Sequence, residues 1–513
     1  MRSIRVLRNI ITNYLRFFVT GFLGFVVTPL MVRTLGDGGY GLWVTIFSLT
    51  GYFGLFDQGI RPSLVRYVSR DHARGDQEGL SRTVSSALGI YSAAGVLTVV
   101  ATIVVAAGFP HWFHIAPAQV GVARATLLLA GASLALGFPL GVFAATLSGL
   151  QRYDIANTIG IGVGIARTLG FVVVLHMGGG LVGLAWTSLL MNLAGHGLSA
   201  IYARRLLPEL RISWRLVERE HLVLVGSYSG YAFVGALASS IAFQTDSLVI
   251  TAFLGAALVT PFALAANPVA NVRSLVYSAT WVLSPTASEL EARGEEHKLH
   301  AMMIAGSKYS VLLSWPVLFG VVIFGSNLLT TWVGPRYASA GTLLTILAVP
   351  TLLSLPQSST SSLLFGVSRH RGVVLLSLLN AALNLGLSLL WVRPFGLAGV
   401  AMGTAVPLAL VSGIVTMVYG CRALHLPLGQ YLWEGLLRPG LASLGFIVPA
   451  VILQWAIHPL GWLRLIGTCV GCWLVFAACA WWLALDGSER ARWGRMVPGL
   501  FQRQDAAVAG VGR

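Results

Sequence analysis

Charged side chains lie inside apolar stretches of this sequence that are long enough to cross a membrane. Because a charge inside a bilayer is costly, each such residue is a candidate for binding or transport. Arg273 and Arg167 could hold an anionic group, and Asp246 could carry a coupling proton or sodium ion. The alternative for Arg273 is that it snorkels to the cytoplasmic surface or pairs within one helix bundle, and for Arg167 that it anchors hydrogen bonds within one bundle. The alternative for Asp246 is a structural ion pair near the outer surface.

Asparagines at helical spacing accompany these charges. Asn267 and Asn271 lie four residues apart just before Arg273. Asn380 and Asn384 show the same spacing in a later apolar stretch. Residues four apart share one face of a helix, so we expect each pair to line a polar cavity that could contact sugars. Hydrogen bonding between helices is the alternative.

Further polar residues fall at the ends or in the middle of predicted helices. Gln357 opens a run of six polar residues, and some of them should line the cavity because they cannot all face lipid. Arg16 could reach either the cavity or the lipid headgroups. Asp57 and Arg61, spaced by four, are predicted to pair as a structural clamp or an intracellular gate. His196 is expected to be a hydrogen-bonded core residue.

Several kinds of catalytic or cofactor site have no matching motif in the sequence. It contains no Walker motif, no catalytic triad and no paired catalytic carboxylates. Gly160-x-Gly162-x-Gly164 follows no predicted strand, so it indicates close helix packing rather than a nucleotide loop. Cys469 and Cys472 lie in an apolar stretch without a second ligand pair, so no metal is expected. We predict a transporter without a cofactor, coupled to a proton or sodium gradient.

Composition identifies the class of protein that positions these residues. Of the 513 residues, 56% are hydrophobic and 10% are charged, and the mean hydropathy is +0.78. Ordinary soluble domains carry about 25% charged residues, and disordered chains are richer still in charge. A membrane-spanning helix needs about 20 residues, so the length accommodates about fourteen spans with short loops. The sequence therefore predicts an all-α integral membrane protein.

The predicted helices alternate with loops of very different charge. Their ranges are roughly 13–34, 40–68, 83–109, 119–149, 154–175, 181–203, 221–253, 257–284, 301–326, 339–366, 372–392, 396–421, 439–457 and 464–485. Most of the arginines behind the net charge of +16 fall in one set of loops. The opposite loops hold Arg33, Arg124, Arg336, Arg393 and Arg464. The positive-inside rule then places both termini in the cytoplasm.

An internal repeat divides the chain. In pairs, the recurring segments are Leu35-Gly36 and Leu254-Gly255, Ala73-Arg74-Gly75 and Ala292-Arg293-Gly294, and Gly180-Leu181 and Gly396-Leu397. Their nearly constant spacing predicts two six-helix lobes related by a pseudo-two-fold axis along the membrane normal, plus two C-terminal helices. The predicted divisions are an N-terminal lobe (1–203), a cytoplasmic linker (204–220), a C-terminal lobe (221–421), two additional spans (422–485) and a loosely ordered cytoplasmic tail (486–513).

The N-terminal motifs resemble the Wzx-type polysaccharide flippases of the multidrug/oligosaccharidyl-lipid/polysaccharide exporter superfamily. The motifs are Thr28-Pro29-Leu30, Arg33-Thr34-Leu35-Gly36, Tyr40-Gly41-Leu42-Trp43 and Leu55-Phe56-Asp57-Gln58-Gly59-Ile60. The resemblance implies translocation of an undecaprenyl-diphosphate-linked oligosaccharide across the bacterial cytoplasmic membrane, for O-antigen or exopolysaccharide synthesis. It also implies a polysaccharide polymerase and other assembly proteins as partners. Arg273 and Arg167 would supply the cationic cavity typical of this family.

Two other functions compete with this interpretation. A cation-coupled multidrug exporter of the same fold should have acidic and aromatic cavity walls, whereas here arginines outnumber acids inside the predicted helices. A membrane-embedded glycosyltransferase would need acidic catalytic residues near a large outer loop, and the predicted outer loops are short and almost free of acids. The flippase is therefore favoured.

Overall fold

The computed structural model describes residues 2–217 and 230–491, and nearly all of them are helical. Within these ranges no residue lies in a β-strand, which confirms the predicted all-α membrane class. The predicted start of the seventh helix, the end of the predicted linker and the predicted tail beyond Ala491 lie outside the described residues.

The helices follow one another with short connections. In chain order they are α1 (Arg2–Phe53), α2 (Leu55–Arg74), α3 (Gln77–Trp112), α4 (Val120–Gly149), α5 (Tyr153–His176), α6 (Gly180–Leu206), α7 (Gly230–Phe253), α8 (Val259–Thr280), α9 (Leu283–Ala292), α10 (Glu296–Trp332), α11 (Gly341–Ser354), α12 (Gln357–Gly366), α13 (His370–Pro407), α14 (Thr416–Ala423), α15 (Leu428–Gln430), α16 (Arg438–Ala442), α17 (Leu444–Ile457) and α18 (Trp462–Cys479). Wider π-helical turns span Leu408–Val415, Tyr431–Leu437 and Ala480–Ala484.

Length and hydropathy identify 10 candidate membrane spans among the described residues. Two of these are long enough for two crossings each: Ile11–Phe53 has 43 residues and His370–Ala423 has 54, against about 20 for one crossing. Each is interrupted by a glycine with positive φ, Gly36 at 68° and Gly396 at 58°. Dividing both and adding the shorter α7 and α8 reproduces the predicted arrangement of about fourteen crossings.

The repeat seen in the sequence is also present in the backbone. Matched positions share a left-handed conformation: Gly36 (φ 68°) and Gly255 (93°), Gly75 (70°) and Gly294 (68°), Gly180 (54°) and Gly396 (58°), and the non-glycine pair Gln151 (56°) and Ser368 (57°). Such φ values are rare for residues with a Cβ. Because four turns coincide in register, the two halves of the chain share local folding rules as well as sequence.

The described residues form two compact units. Unit 1 comprises 2–217, 230–267 and 374–407, and unit 2 comprises 268–373 and 408–491. Each unit has its own apolar interior: α2, α3 and α4 pack around Leu64 and Tyr91 in unit 1, and α10, α12 and α14 pack around Met303 and Leu363 in unit 2. The division into two six-helix lobes stays a prediction.

A buried lysine ties the chain beyond α18 to α10 within unit 2. The Lys308 side chain is only 7% exposed, and its Nζ lies 2.5 Å from Glu489 Oε2. The Tyr309 hydroxyl and the Asp486 backbone N–H also donate to the Glu489 carboxylate, at 3.1 and 2.9 Å. The tail predicted to be loosely ordered from Asp486 is therefore anchored as far as Glu489, because a buried ammonium needs a partner.

We predict that Glu489→Gln destabilises the protein at neutral pH by about 1–3 kcal/mol, because it removes the anion that compensates a buried lysine. Thermal unfolding in detergent measures this effect. Glu434→Gln, which changes a carboxylate that accepts a hydrogen bond from the Gln430 amide at 3.3 Å, should leave the unfolding temperature unchanged.

The stabilisation that the Lys308–Glu489 ion pair provides should depend on pH. Burial alone would raise the pKa of the Glu489 carboxyl, but the hydrogen bond and charge of Lys308 and the Asp486 N–H outweigh it and hold the pKa below the ordinary 4.5. A lowered pKa stabilises the folded state above the unfolded pKa and stops doing so as pH falls through the folded pKa. The deficit of Glu489→Gln should therefore be full at pH 7 and shrink below about pH 4. An equal deficit at pH 7 and pH 3 would contradict the assignment.

Candidate functional site

Three of the predicted site residues lie together in unit 1. Arg61 Nε lies 3.4 Å from Asp57 Oδ2, as their spacing predicts, and the Tyr91 hydroxyl donates to Asp57 Oδ1 at 2.7 Å. Arg16 from α1 and His196 from α6 both lie within reach of the Arg61 charge. We call Arg16, Asp57, Arg61, Tyr91 and His196 the N-terminal polar cluster.

The local sequence explains how α2 presents this cluster. The helix begins after Gly54, so Asp57 lies in its first turn and Arg61 lies one turn later on the same face. Tyr91 is fully buried in α3 and fixes the carboxylate from behind. The Asp57 and Arg61 side chains nevertheless remain 36% and 44% exposed. The carboxylate is thus held by a rigid phenol while the guanidinium faces open space.

Two glycines, Gly160 and Gly137, leave room for Arg16 and His196. Arg16 Nε lies 2.8 Å from the position that a Cβ on Gly160 would take, and His196 Nε2 lies 3.1 Å from that of Gly137. Gly160 therefore serves close approach within the bundle, as predicted from its motif, but the group that approaches is a cation. Neither glycine could be replaced without displacing a polar side chain.

The charge of the cluster is not balanced by its contacts. Arg16 Nη1 donates to the neutral amide oxygen of Asn157 at 3.4 Å, and Arg61 pairs with Asp57. Two guanidinium groups of the cluster thus accompany one carboxylate. An anion placed between two arginines lowers the repulsion between like charges and accepts hydrogen bonds from both. The arrangement favours an anionic ligand.

A second group of predicted residues meets where α7 packs on α13. Asp246 is buried, and the Thr404 hydroxyl donates to its Oδ2 at 2.7 Å. Asn384 Nδ2 donates to Thr404 Oγ1 at 2.9 Å and to the Ala242 carbonyl at 3.3 Å. Asn380 lies one turn before Asn384 and is also buried. We call Asp246, Asn380, Asn384 and Thr404 the buried acidic site.

The oxygen atoms of the buried acidic site are suited to a cation. Within the described ranges, the amide oxygens of Asn380 and Asn384 have no hydrogen-bond partner although both are buried. Leaving a buried acceptor without a partner costs about 1–3 kcal/mol. Carboxylate, amide and hydroxyl oxygens are ligands that hard cations prefer. A sodium ion or a proton shared with Asp246 would offset this cost.

The other predicted cavity residues are placed separately. In unit 1, Arg167 is half-buried on α5, and Asn267 is exposed on α8 in hydrogen-bonding contact with Tyr40. In unit 2, Asn271 is exposed and Arg273 is half-buried one turn before Tyr277. The structure therefore gathers neither arginine into the N-terminal polar cluster.

Gln357 belongs to a closed hydrogen-bond network in unit 2. Its side chain is buried, and the Tyr431 hydroxyl donates to its Oε1 at 2.9 Å. The same hydroxyl lies 2.6 Å from Ser307 Oγ, and Thr360 donates to Gln357 at 3.2 Å. The structure therefore places Gln357 in hydrogen bonding between helices, which is the alternative to the predicted cavity position.

Cysteine and metal chemistry have no assembled site in the described ranges. The four cysteines are free thiols. No group of three or more histidine, cysteine, aspartate or glutamate side chains is arranged to hold a metal ion among the residues described. The candidate chemistry there rests on arginine, asparagine, threonine and aspartate.

Comparison with known proteins assigns these features to a family. The model of the polysaccharide biosynthesis protein family matches residues 6–291. The chain is 23% identical to the uncharacterized membrane protein EpsK of Bacillus subtilis strain 168, over 98% of this chain and 99% of that one. It is 25% identical to a putative O-antigen transporter of Shigella flexneri, over 30% of this chain and 36% of that one. The solved lipid II flippase MurJ, inward closed, covers 92% of this chain and 97% of its own with a TM-score of 0.71 at 12% identity, which shows a shared fold.

Proposed function

Because this chain belongs to the polysaccharide biosynthesis protein family, we propose that it moves a lipid-linked oligosaccharide across the membrane by alternating access. The proposed cargo is an undecaprenyl-diphosphate-linked glycan, carried from the inner to the outer leaflet of the bacterial cytoplasmic membrane for surface polysaccharide synthesis. No covalent bond changes in such a step, so the protein needs binding groups and two conformations rather than a catalytic centre.

The observation that carries this proposal is that two arginines of the cluster, Arg16 and Arg61, accompany a single carboxylate, Asp57, which pairs with Arg61. A diphosphate presents several anionic oxygens close together, and arginine binds such groups through paired hydrogen bonds. The glycan needs only polar contacts, and the lipid tail can stay in the bilayer. Arg273 and Arg167 are proposed as further cationic contacts, and Asn267 and Asn271 as sugar contacts.

The position of the cluster suits loading from the cytoplasmic leaflet. The first predicted span begins at about residue 13, and Arg16 lies three residues later, about 5 Å along the helix. With both termini in the cytoplasm, the cluster then lies near the level at which an inner-leaflet phosphate enters. A cationic drug would be repelled there, which disfavours the multidrug exporter as an alternative.

We further propose that the buried acidic site couples the cycle to an ion gradient. A ligand shifts a conformational equilibrium only through different affinities for the two states. Asp246 lies on α7, whereas Asn384 and Thr404 lie on separate stretches of α13 on either side of Gly396. An ion held by all three can therefore stabilise one packing of these helices over another.

We predict that the double substitution Arg16→Gln and Arg61→Gln lowers the rate of glycan flipping at least tenfold, because both cationic contacts to the diphosphate are lost. Leaflet accessibility of the lipid-linked glycan in proteoliposomes measures the rate. Arg124→Gln is the matched control: among the described residues its guanidinium donates to the neutral backbone carbonyls of Ala106 and Ala107, so flipping should persist. A folded double variant that flips at the normal rate would remove the cluster from the mechanism.

For the buried acidic site, we predict that sodium chloride, compared with choline chloride, raises the thermal stability of the purified protein. At about 100 times the dissociation constant the gain is about 2.7 kcal/mol. Asp246→Asn should abolish the gain, and Asp154→Asn, a carboxylate paired with Arg152 instead, should keep it. If sodium acts equally on the protein and on Asp246→Asn, the site does not bind sodium.

A further inference from the structure

Two segments that occupy equivalent positions in the repeat cross each other within unit 1. The Thr260 hydroxyl donates to the backbone carbonyl of Asp37 at 2.7 Å. A Cβ on Gly41 would lie only 1.8 Å from the backbone oxygen of Ala256. Only a glycine permits so close an approach to a carbonyl oxygen. We call Asp37, Gly41, Ala256 and Thr260 the repeat crossing.

The two contacts of the repeat crossing join equivalent positions of the two repeats. Gly41 has the same place in the first repeat as Thr260 in the second, and Asp37 has the same place as Ala256. In each repeat, the residue five positions after the positive-φ glycine contacts the backbone carbonyl of the residue that directly follows the corresponding glycine of the other repeat. A contact that exchanges with itself under the repeat lies at the pseudo-symmetry axis.

A row of hydroxyl contacts continues from the crossing along α1 and α7. Thr45 Oγ1 and Thr251 Oγ1 lie 2.6 Å apart and both side chains are fully buried. The Tyr52 hydroxyl lies 2.5 Å from Thr245 Oγ1. We call Thr45, Tyr52, Thr245 and Thr251 the hydroxyl seam. The contacts of the seam described above are hydroxyl hydrogen bonds, each of which contributes about 0.5–1.5 kcal/mol and can be exchanged for water.

The chemistry of the seam suits a joint that opens repeatedly. A buried ion pair would lose several kcal/mol on separation if its partners were left uncompensated, whereas hydroxyl groups regain hydrogen bonds from water at once. The seam also adjoins the buried acidic site, because Thr245 directly precedes Asp246 in α7. Any rotation of α7 that opens the seam therefore moves the carboxylate as well.

We propose that the repeat crossing and the hydroxyl seam form the outer gate of the transport cycle, closed in this structure, with Gly41 as its closure point. The assignment deepens the proposed flippase function and rests on it, and it uses the predicted orientation in which the Gly36 and Gly255 turns face away from the cytoplasm. Closure needs backbone to meet backbone at Gly41, so a single added methyl group holds the gate open.

The first test measures access to the seam without using any substrate. The four native cysteines are replaced by alanine, Thr251→Cys is introduced, and intact cells receive a membrane-impermeant maleimide. Slow labelling is expected in this background. Adding Gly41→Ala should raise the labelling rate at least tenfold, because its Cβ cannot fit against Ala256 in the closed gate.

Gly24→Ala is the matched control in the same helix. A Cβ at Gly24 has no atom within 4 Å, so labelling of Thr251→Cys should stay at its background rate. If Gly41→Ala leaves labelling unchanged in a protein of normal stability, or if both alanines raise it equally, Gly41 is not the closure point.

The second test locks the gate. Because the Thr45 and Thr251 oxygens lie 2.6 Å apart, cysteines at both positions should be close enough for a disulfide. An oxidant should cross-link this pair, stop glycan flipping, and release it again on reduction, while either single cysteine remains active. A cross-linked protein that flips normally, or a pair that never cross-links, would overturn the gate. Cross-linking that forms while no glycan moves even after reduction would support the gate and reject the proposed cargo.

Discussion

A guanidinium group stays inside a membrane protein only where a carboxylate, water or a bound anion compensates its charge, and this constraint organises the N-terminal half of the chain. Asp57 compensates Arg61, and Tyr91 fixes Asp57 from the apolar interior. Arg16 has a neutral partner in Asn157, so one positive charge remains in excess. Helices α1 and α2 must both be in place for this imbalance to exist, because α1 contributes Arg16 and α2 contributes both Asp57 and Arg61.

In the proposed cycle, the repeat supplies the joint at which the helices carrying these charges move. Equivalent glycine turns at Gly36 and Gly255 bring the two halves of unit 1 together through a hydroxyl seam, and the buried acidic site lies beside that seam on α7. In the proposed cycle, anion binding, ion binding and closure use different side chains on neighbouring helices. The family match agrees with a role in polysaccharide biosynthesis, and the lipid II flippase shares the fold.

Local patterns in the sequence predict much of this arrangement. The repeated glycines Gly36, Gly75 and Gly180 indicated turns in the sequence. In the structure each of them has a positive φ, and so does its partner in the second repeat. The spacing of Asp57 and Arg61 predicted their pairing because an α-helix fixes that geometry. Asp246 stood out as a carboxylate in an apolar stretch, and the asparagine pair Asn380 and Asn384 as polar residues at helical spacing.

Contacts between distant helices were beyond the reach of such patterns. Nothing around Tyr91 or His196 indicates that α3 and α6 bring them to Asp57, because that depends on packing. Gln357 lies in a run of polar residues that would suit a cavity as well as hydrogen bonding between helices. The structure favours hydrogen bonding, because Tyr431, which is distant in the sequence, donates to the Gln357 side chain. Gly160 signalled close packing without revealing that the neighbour is Arg16.

If the arginines Arg16 and Arg61 recognise a diphosphate, the rate of flipping must depend on the number of phosphates on the lipid carrier. Flipping rates in proteoliposomes should be compared for one glycan linked to undecaprenyl diphosphate and to undecaprenyl monophosphate. The diphosphate should be flipped at least ten times faster, and the preference should disappear when Arg16 and Arg61 are both glutamine. Equal rates for the two carriers in the unaltered protein would contradict the account.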